Sequence, residues 1–157
     1  MNAMNKYYLA YGSNLNVRQM RYRCPEARIV GISVIKNYEL LYKGSKTGAY
    51  LTIEKKKGSL VPIAVWEVSD ADESRLDIYE GFPDFYYKKN VRLPVKLIRN
   101  SKTKELDAFV YIMHEERKLG VPTTSYIRTC EEGYRNFGFD NKFLDEAYEI
   151  SAKEVQK

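Results

Sequence analysis

Apolar positions along the chain follow two rhythms, a strand-like alternation in the first two thirds and a helical spacing at the end. From Lys6 to Tyr11 a short aromatic and aliphatic run stops at Gly12-Ser13-Asn14. Val17, Met20 and Arg21 then recur at helical spacing toward Pro25, which predicts strand, tight loop and short helix. Ala27 to Tyr42 carries Ile29, Val30, Ile32, Val34, Ile35, Tyr38, Leu40 and Leu41, enough β-branched and aromatic side chains for one long or broken strand. Glycines 44, 48 and 58 punctuate the next stretch of chain. Ala49 to Glu54 and Leu60 to Val68 read as a hairpin, with Pro62 near a strand start, where its missing N–H is tolerated. Its turn would hold Lys55-Lys56-Lys57-Gly58-Ser59.

Ser69-Asp70-Ala71-Asp72 offers an N-cap and acidic residues for a first turn, so a helix of about ten residues is expected through Leu76 until Gly81 and Pro83 stop it. Tyr86 to Ile98 and Leu106 to Met113 alternate as two further strands around the polar turn Arg99 to Lys104. Pro122-Thr123-Thr124 then opens a helix through about Tyr134, and Asn141-Lys142 leads into another carrying Phe143, Leu144, Ala147, Tyr148 and Ile150. Strands first and helices last indicate an α+β fold. With no repeat, low-complexity tract or linker, the chain reads as a single domain over residues 6–153.

Composition narrows the function classes. Of 157 residues, 44% are hydrophobic, enough for one contiguous core. No apolar run approaches the ~20 residues needed to cross a bilayer. The opening Met1-Asn2-Ala3-Met4-Asn5-Lys6 lacks the apolar segment of a secretory signal, so a cytoplasmic protein with no membrane partner is expected. Met4-Asn5-Lys6 itself reads like a natural beginning, and residues 1–3 are expected to be disordered outside the fold. Cys24 and Cys130 stand far apart without C-x-x-C spacing, which suggests reduced packing thiols rather than a disulfide framework or zinc site. His114 begins His114-Glu115-Glu116-Arg117-Lys118, where a zinc-protease helix needs a second histidine in place of Lys118, so no metal is expected. The net charge of +5 comes from 26 basic and 21 acidic side chains. They are interspersed, and Lys55-Lys56-Lys57 is the sharpest cluster, which argues against a nucleic-acid partner. Most of the fourteen tyrosines fall in strand-like patterns, where an aromatic ring is ordinary sheet material.

Three segments offer chemistry. Tyr11-Gly12-Ser13-Asn14-Leu15 sits at a strand-to-helix junction, where Gly12 permits a sharp turn and successive N–H groups can converge on a carboxylate; equally, Ser13 or Asn14 can serve as a plain N-cap. The run from Leu76 to Tyr87 ends a helix in Glu80 and places aromatics directly after it. Rings around that carboxyl would raise its pKa and make it a proton acceptor, whereas a water-exposed helix end would leave it a spectator. A glutamate near a helix C-terminus opposes the helix dipole, which weakly disfavours the second reading. Tyr126 lies in the first turn of the helix after Pro122, where periodicity alone favours a core residue over a pocket residue. A serine hydrolase built on Ser13 and His114 would lack the G-x-S-x-G elbow.

In this order and spacing the three segments resemble the gamma-glutamylcyclotransferase-like family, also called AIG2-like, from about Lys6 to Gly138. Tyr11-Gly12-Ser13-Asn14-Leu15 matches the family's Y-G-S-N-L signature, Glu80-Gly81 its E-G pair, and Tyr126 with Gly133 its Y-x-x-x-I-x-x-G helix, with Cys130 where isoleucine is usual. A tyrosine six or seven residues after the glutamate is either Tyr86 or Tyr87, with Tyr86 preferred. The resemblance implies a small, curved, mixed β-barrel with flanking helices. It implies a pocket between signature loop and glutamate, no metal and no cofactor. It also implies a small-molecule gamma-glutamyl substrate that is converted to 5-oxoproline as its own α-amine attacks the γ-amide. Glu80 would be the catalytic acid/base, and Tyr11, Gly12, Ser13, Asn14, Leu15, Tyr86 and Tyr126 would bind substrate. The leaving group and the oligomeric state stay open, and a catalytically silent binding module on the same fold is the alternative.

Overall fold

The structure, a computed structural model, describes residues 6–44 and 48–156, so the disorder expected for residues 1–3 concerns positions outside the described residues. The strands are β1 Lys6–Ala10, β2 Arg28–Gly44, β3 Ala49–Val68, β4 Tyr86–Leu97, β5 Thr103–Met113 and the two-residue β6 Lys118–Leu119. The helices are α1 Val17–Arg23, α2 Asp70–Glu80, α3 Thr124–Phe137 and α4 Lys142–Val155. Strand order runs β3-β1-β5-β4-β2-β6, and β2 returns to pair with β3, which closes the first five strands into a barrel. β1 lies parallel to β5, while the β1–β3, β2–β3, β2–β4 and β4–β5 pairings are antiparallel. This is the mixed, curved barrel of an α+β fold. Leu9, Leu51, Ile63, Trp66 and Met113 are all fully or almost fully buried in the hydrophobic core, with Trp66 against Phe137 of α3. Among the described residues no helix is long and apolar enough to cross a membrane.

The expected hairpin between Ala49–Glu54 and Leu60–Val68 does not form. Both segments are halves of β3 and both pair with β2, Ala49–Lys55 against Tyr38–Gly44 and Leu60–Glu67 against Arg28–Lys36. Between the pairs Lys36↔Leu60 and Tyr38↔Lys55 the register jumps, so Lys56-Lys57-Gly58-Ser59 bulge outward opposite Asn37. Asn37 has φ 65°, and its Oδ1 accepts the Gly58 N–H at 3.1 Å. The lysines are indeed solvated, but β2 is seventeen residues long and templates both halves, so the ladder resumes past the bulge instead of folding back.

The course of α2 positions the site. Ser69 caps the helix by accepting the Asp72 N–H at 3.1 Å. At its start Glu73 meets Lys6 of β1 at 2.7 Å, in its last turn Tyr79 meets Ser13 at 3.1 Å, and between them Asp77 accepts the Tyr111 hydroxyl at 2.6 Å. The helix therefore runs alongside β1 in the same direction. Eleven residues of α-helix and five of strand each span about 16 Å, so both elements end at the same level and Glu80 arrives beside the loop after β1. Lys88 of β4 reaches both Glu73 (2.7 Å) and Asp77 (2.8 Å), one turn apart, and clamps the helix to the barrel wall.

Candidate active site

Past Ala10 the chain bends into a single 3-10 turn, Ser13–Leu15, closed by Leu15 N–H to Gly12 O and Asn16 N–H to Ser13 O, both 3.0 Å. The Leu15 amide is spent within the turn, which leaves Gly12, Ser13 and Asn14 at the end where N–H groups lack partners inside the turn. Neither Ser13 nor Asn14 caps α1. Asn16 does, through Oδ1 on the Gln19 N–H at 3.1 Å. The side chains of Ser13 and Asn14 are instead drawn toward α2 and β1, where Ser13 Oγ meets the Tyr79 hydroxyl and Asn14 Nδ2 donates to the Tyr8 hydroxyl at 2.9 Å.

This loop forms one wall of a cavity of about 370 Å³, within the range of small-molecule sites. Tyr11, Gly12, Ser13, Asn14, Glu80, Tyr86 and Tyr126 all line it. Leu15 does not. Its side chain is fully buried behind the turn, packed where α3 passes closest at Gly133. Tyr87 does not line it either, because the strand alternation turns its hydroxyl outward to Glu115. Ser13 and His114 are not brought together as a nucleophile and base would be: the histidine's Nε2 sits 2.8 Å from Pro83 O.

Glu80 closes α2. Gly81 comes next at φ 66°, with its N–H on Ile78 O and the Phe82 N–H on Asp77 O, a left-handed cap that turns the chain away and leaves the glutamate at the helix end. As a residue Glu80 is half-buried, and its carboxyl is the desolvated end. Burial pushes it up to about 8, with the Arg23 charge acting weakly the other way. Among the described residues no hydrogen bond or ion pair holds this carboxyl.

One residue of β3 orients two tyrosines. Leu51 O accepts the Tyr86 hydroxyl at 2.8 Å, and Leu51 N–H donates to the Tyr126 hydroxyl at 3.1 Å. The Tyr126 hydroxyl also faces the Cys130 thiol, which burial pushes up to about 12 and so holds as an inert packing group. Tyr11 donates to Tyr111 O at 2.7 Å. Phe85, one of the aromatics expected after Glu80, joins Tyr8, Tyr50, Tyr79 and Tyr111, which sequence reasoning passed over, to complete an aromatic lining. Tyr79 adjoins Glu80 and Tyr8 lies just before the signature loop, which are the only local signals; Tyr50 and Tyr111 arrive by strand pairing alone. Among the described residues no group of three or more His, Cys, Asp or Glu side chains is placed to hold a metal ion.

Comparison with known proteins matches residues 8–128 to the family described as gamma-glutamyl cyclotransferase, AIG2-like. A solved structure described as a gamma-glutamyl cyclotransferase is 21% identical, with TM-score 0.76 over 92% of this chain and 86% of that one. A human protein described as uncharacterized is 22% identical, with TM-score 0.75 over 92% and 87%. A yeast gamma-glutamyl cyclotransferase described as specific to glutathione is 11% identical, with TM-score 0.66 over 96% and 97%. No curated protein matches by sequence. At these identities the structural likeness is one of fold.

Proposed function

Since the chain belongs to the gamma-glutamyl cyclotransferase, AIG2-like family, we propose that it releases 5-oxoproline from a gamma-glutamyl amine or amino acid, with Glu80 as general acid/base. The observation that carries this reading is a carboxyl group with its proton held up to about 8, unpaired, in one cavity with the loop after β1. The substrate's α-ammonium has a pKa near ~8, and at a reference glutamate pKa of ~4.3 the proton transfer would be uphill by ~5 kcal/mol. With Glu80 at about 8 the transfer becomes nearly balanced.

In the proposed reaction Glu80 takes a proton from the α-ammonium, and the nitrogen lone pair attacks the γ-carbonyl carbon. The carbonyl π pair moves onto oxygen and returns as the bond to the leaving nitrogen breaks. That nitrogen departs with the bonding pair and takes the proton from Glu80. The attacking nitrogen, which still carries two hydrogens and a positive charge, then gives up its second proton through the emptied Glu80 carboxylate to the released amine, giving 5-oxoproline and an ammonium product. Folding the glutamyl chain into an attack pose supplies much of the rate, and no covalent enzyme intermediate is needed. The amides of Gly12, Ser13 and Asn14 hold the α-carboxylate. The Tyr11 ring and the Tyr86 and Tyr126 hydroxyls orient the glutamyl chain, with Leu15 supporting the loop from behind. The protein would work in the cytoplasm without a cofactor.

The test is 5-oxoproline release from a panel of free gamma-glutamyl amino acids, glutathione and gamma-glutamyl-lysine. At least one should be converted with equimolar amine. Tight binding of a panel member with no release from any would instead favour a silent binding module.

A further inference from the structure

We propose that the Tyr8 phenol is a further catalytic group, the hydrogen-bond donor to the oxyanion formed when the γ-carbonyl is attacked, and that Arg23 and Asn14 are the positioning residues that aim it. This role rests on the cyclotransferase reading and adds a residue to its chemistry.

A chain of hydrogen bonds fixes the direction of the phenol proton. The Arg23 guanidinium bonds to the side-chain oxygen of Asn14. Because a guanidinium only donates, the Asn14 atom facing it must be the acceptor Oδ1, and the opposite atom must be the donor Nδ2. That nitrogen lies 2.9 Å from the Tyr8 hydroxyl, so the phenol oxygen accepts and its own proton points elsewhere. Tyr8 is 4% exposed and lines the cavity, and no acceptor among the described residues takes that proton. The remaining direction is the cavity.

Other buried hydroxyls of the lining are committed. Tyr11 donates to Tyr111 O, Tyr86 to Leu51 O and Tyr111 to Asp77, while Tyr126 has the Cys130 sulfur beside it. The relay is held at each joint. The Arg23 guanidinium lies 3.5 Å over the Tyr79 ring and also donates to Gln19 Oε1 at 3.3 Å, and the Tyr8 ring packs against Phe109 and Tyr111 at 5.5 and 5.8 Å between centroids. A cation at the head of the chain polarises the amide and strengthens the phenol as a donor. Burial first, and the Glu80 charge second, hold the Tyr8 proton far above its ordinary range, so the phenol donates a hydrogen bond through the step and keeps its proton. Stabilisation of this kind acts where negative charge develops and not on the ground-state carbonyl, so it should appear in kcat. Asn14, spent on both sides, serves the reaction with its side chain through Tyr8.

The experiment compares Tyr8→Phe, Arg23→Gln and the double variant by steady-state 5-oxoproline release on the alkaline plateau, where Glu80 is ionised in every enzyme. Tyr8→Phe should lower kcat by about 10²–10³-fold with KM within about threefold, the scale of one oxyanion donor. Arg23→Gln should lower kcat about tenfold, and the double variant should match Tyr8→Phe within about twofold, because the relay acts only through the phenol. Full kcat in Tyr8→Phe, or losses that multiply in the double variant, would overturn the proposal. If Tyr8→Phe does not fold, Arg23→Gln alone decides, and an unchanged kcat overturns it. A wild type that turns over beside a fully active Tyr8→Phe removes only the Tyr8 assignment, whereas a wild type that releases nothing from any panel member removes the cyclotransferase reading with it.

Discussion

Because burial holds the Glu80 proton up to about 8 while the unfolded chain releases it near ~4.3, the folded protein binds the extra proton between those values. This carboxyl's contribution to stability is therefore fully present below ~4.3 and is lost as pH rises through about 8. Glu80→Gln, neutral at every pH, should match wild type in Tm near pH 4 and exceed it at pH 8.5 by several degrees, about 2–4 °C for each kcal/mol. Calorimetry at the two pH values checks it, and equal Tm values throughout would mean the carboxyl is solvated. Two neighbouring loop residues separate backbone from side chain. A Cβ on Gly12 would meet Leu51 Cβ and Cδ1 at 3.3 Å and the Tyr126 hydroxyl at 3.5 Å, so Gly12→Val should fill the cavity and abolish turnover. Ser13→Ala removes one hydroxyl contact with Tyr79 and should keep activity within about tenfold, since a neutral hydrogen bond is worth ~1 kcal/mol. Lost turnover in Ser13→Ala with retained turnover in Gly12→Val would point to a serine nucleophile instead.

Helix α3 bears on the loop through a position without a side chain. A Cβ at Gly133 would come within 2.6 Å of Asn16 N and 2.7 Å of Leu15 C, backbone atoms that cannot step aside. Gly133→Ala should cost about 1–3 kcal/mol from overpacking. It should also lower kcat/KM about 10²-fold, because a displacement near 1 Å misplaces the loop against Glu80. Gly138→Ala is the matched control, with φ 70° and nothing within 4 Å of the added carbon; it should lose about 1 kcal/mol and no activity. Urea melts and kinetics on both variants decide, and equal activity losses would contradict the docking of α3 on the loop. Helices α2 and α3 were legible in the sequence because their signals are local, Ser69 as cap and Gly81 as left-handed stop of α2 and Pro122-Thr123-Thr124 as the opening of α3, although α3 runs past the expected end at Tyr134 to Phe137, where Gly138 stops it. The β3 pairing was not. Lys56-Lys57-Gly58-Ser59 carries the chemistry of a turn, and only the length of β2, a distant segment, makes it a bulge.

Closure of the barrel brings residues 11–14, 80, 86 and 126 to one cavity, and their membership was legible only through motifs whose spacing the sequence preserves. Tyr111 and Leu51 were invisible because their part depends on register: Tyr111 on the pairing of β5 with β4, and Leu51 on facing Tyr86 and Tyr126 across the interior. The relay from Arg23 through Asn14 to Tyr8 was equally hidden, since it joins β1, the loop and α1 by side chains that no periodicity links. For the whole molecule one claim is central, that the fold assembles a general base and a carboxylate-binding loop around a gamma-glutamyl compound. Its most direct test pairs turnover with binding in Glu80→Gln, which keeps the shape of the side chain but cannot accept the amine proton. With the panel compound that the wild type converts best, kcat for 5-oxoproline release should fall by about 10²–10⁴-fold while the calorimetric Kd is unchanged or tighter. Full kcat in Glu80→Gln would contradict the role assigned to this carboxyl.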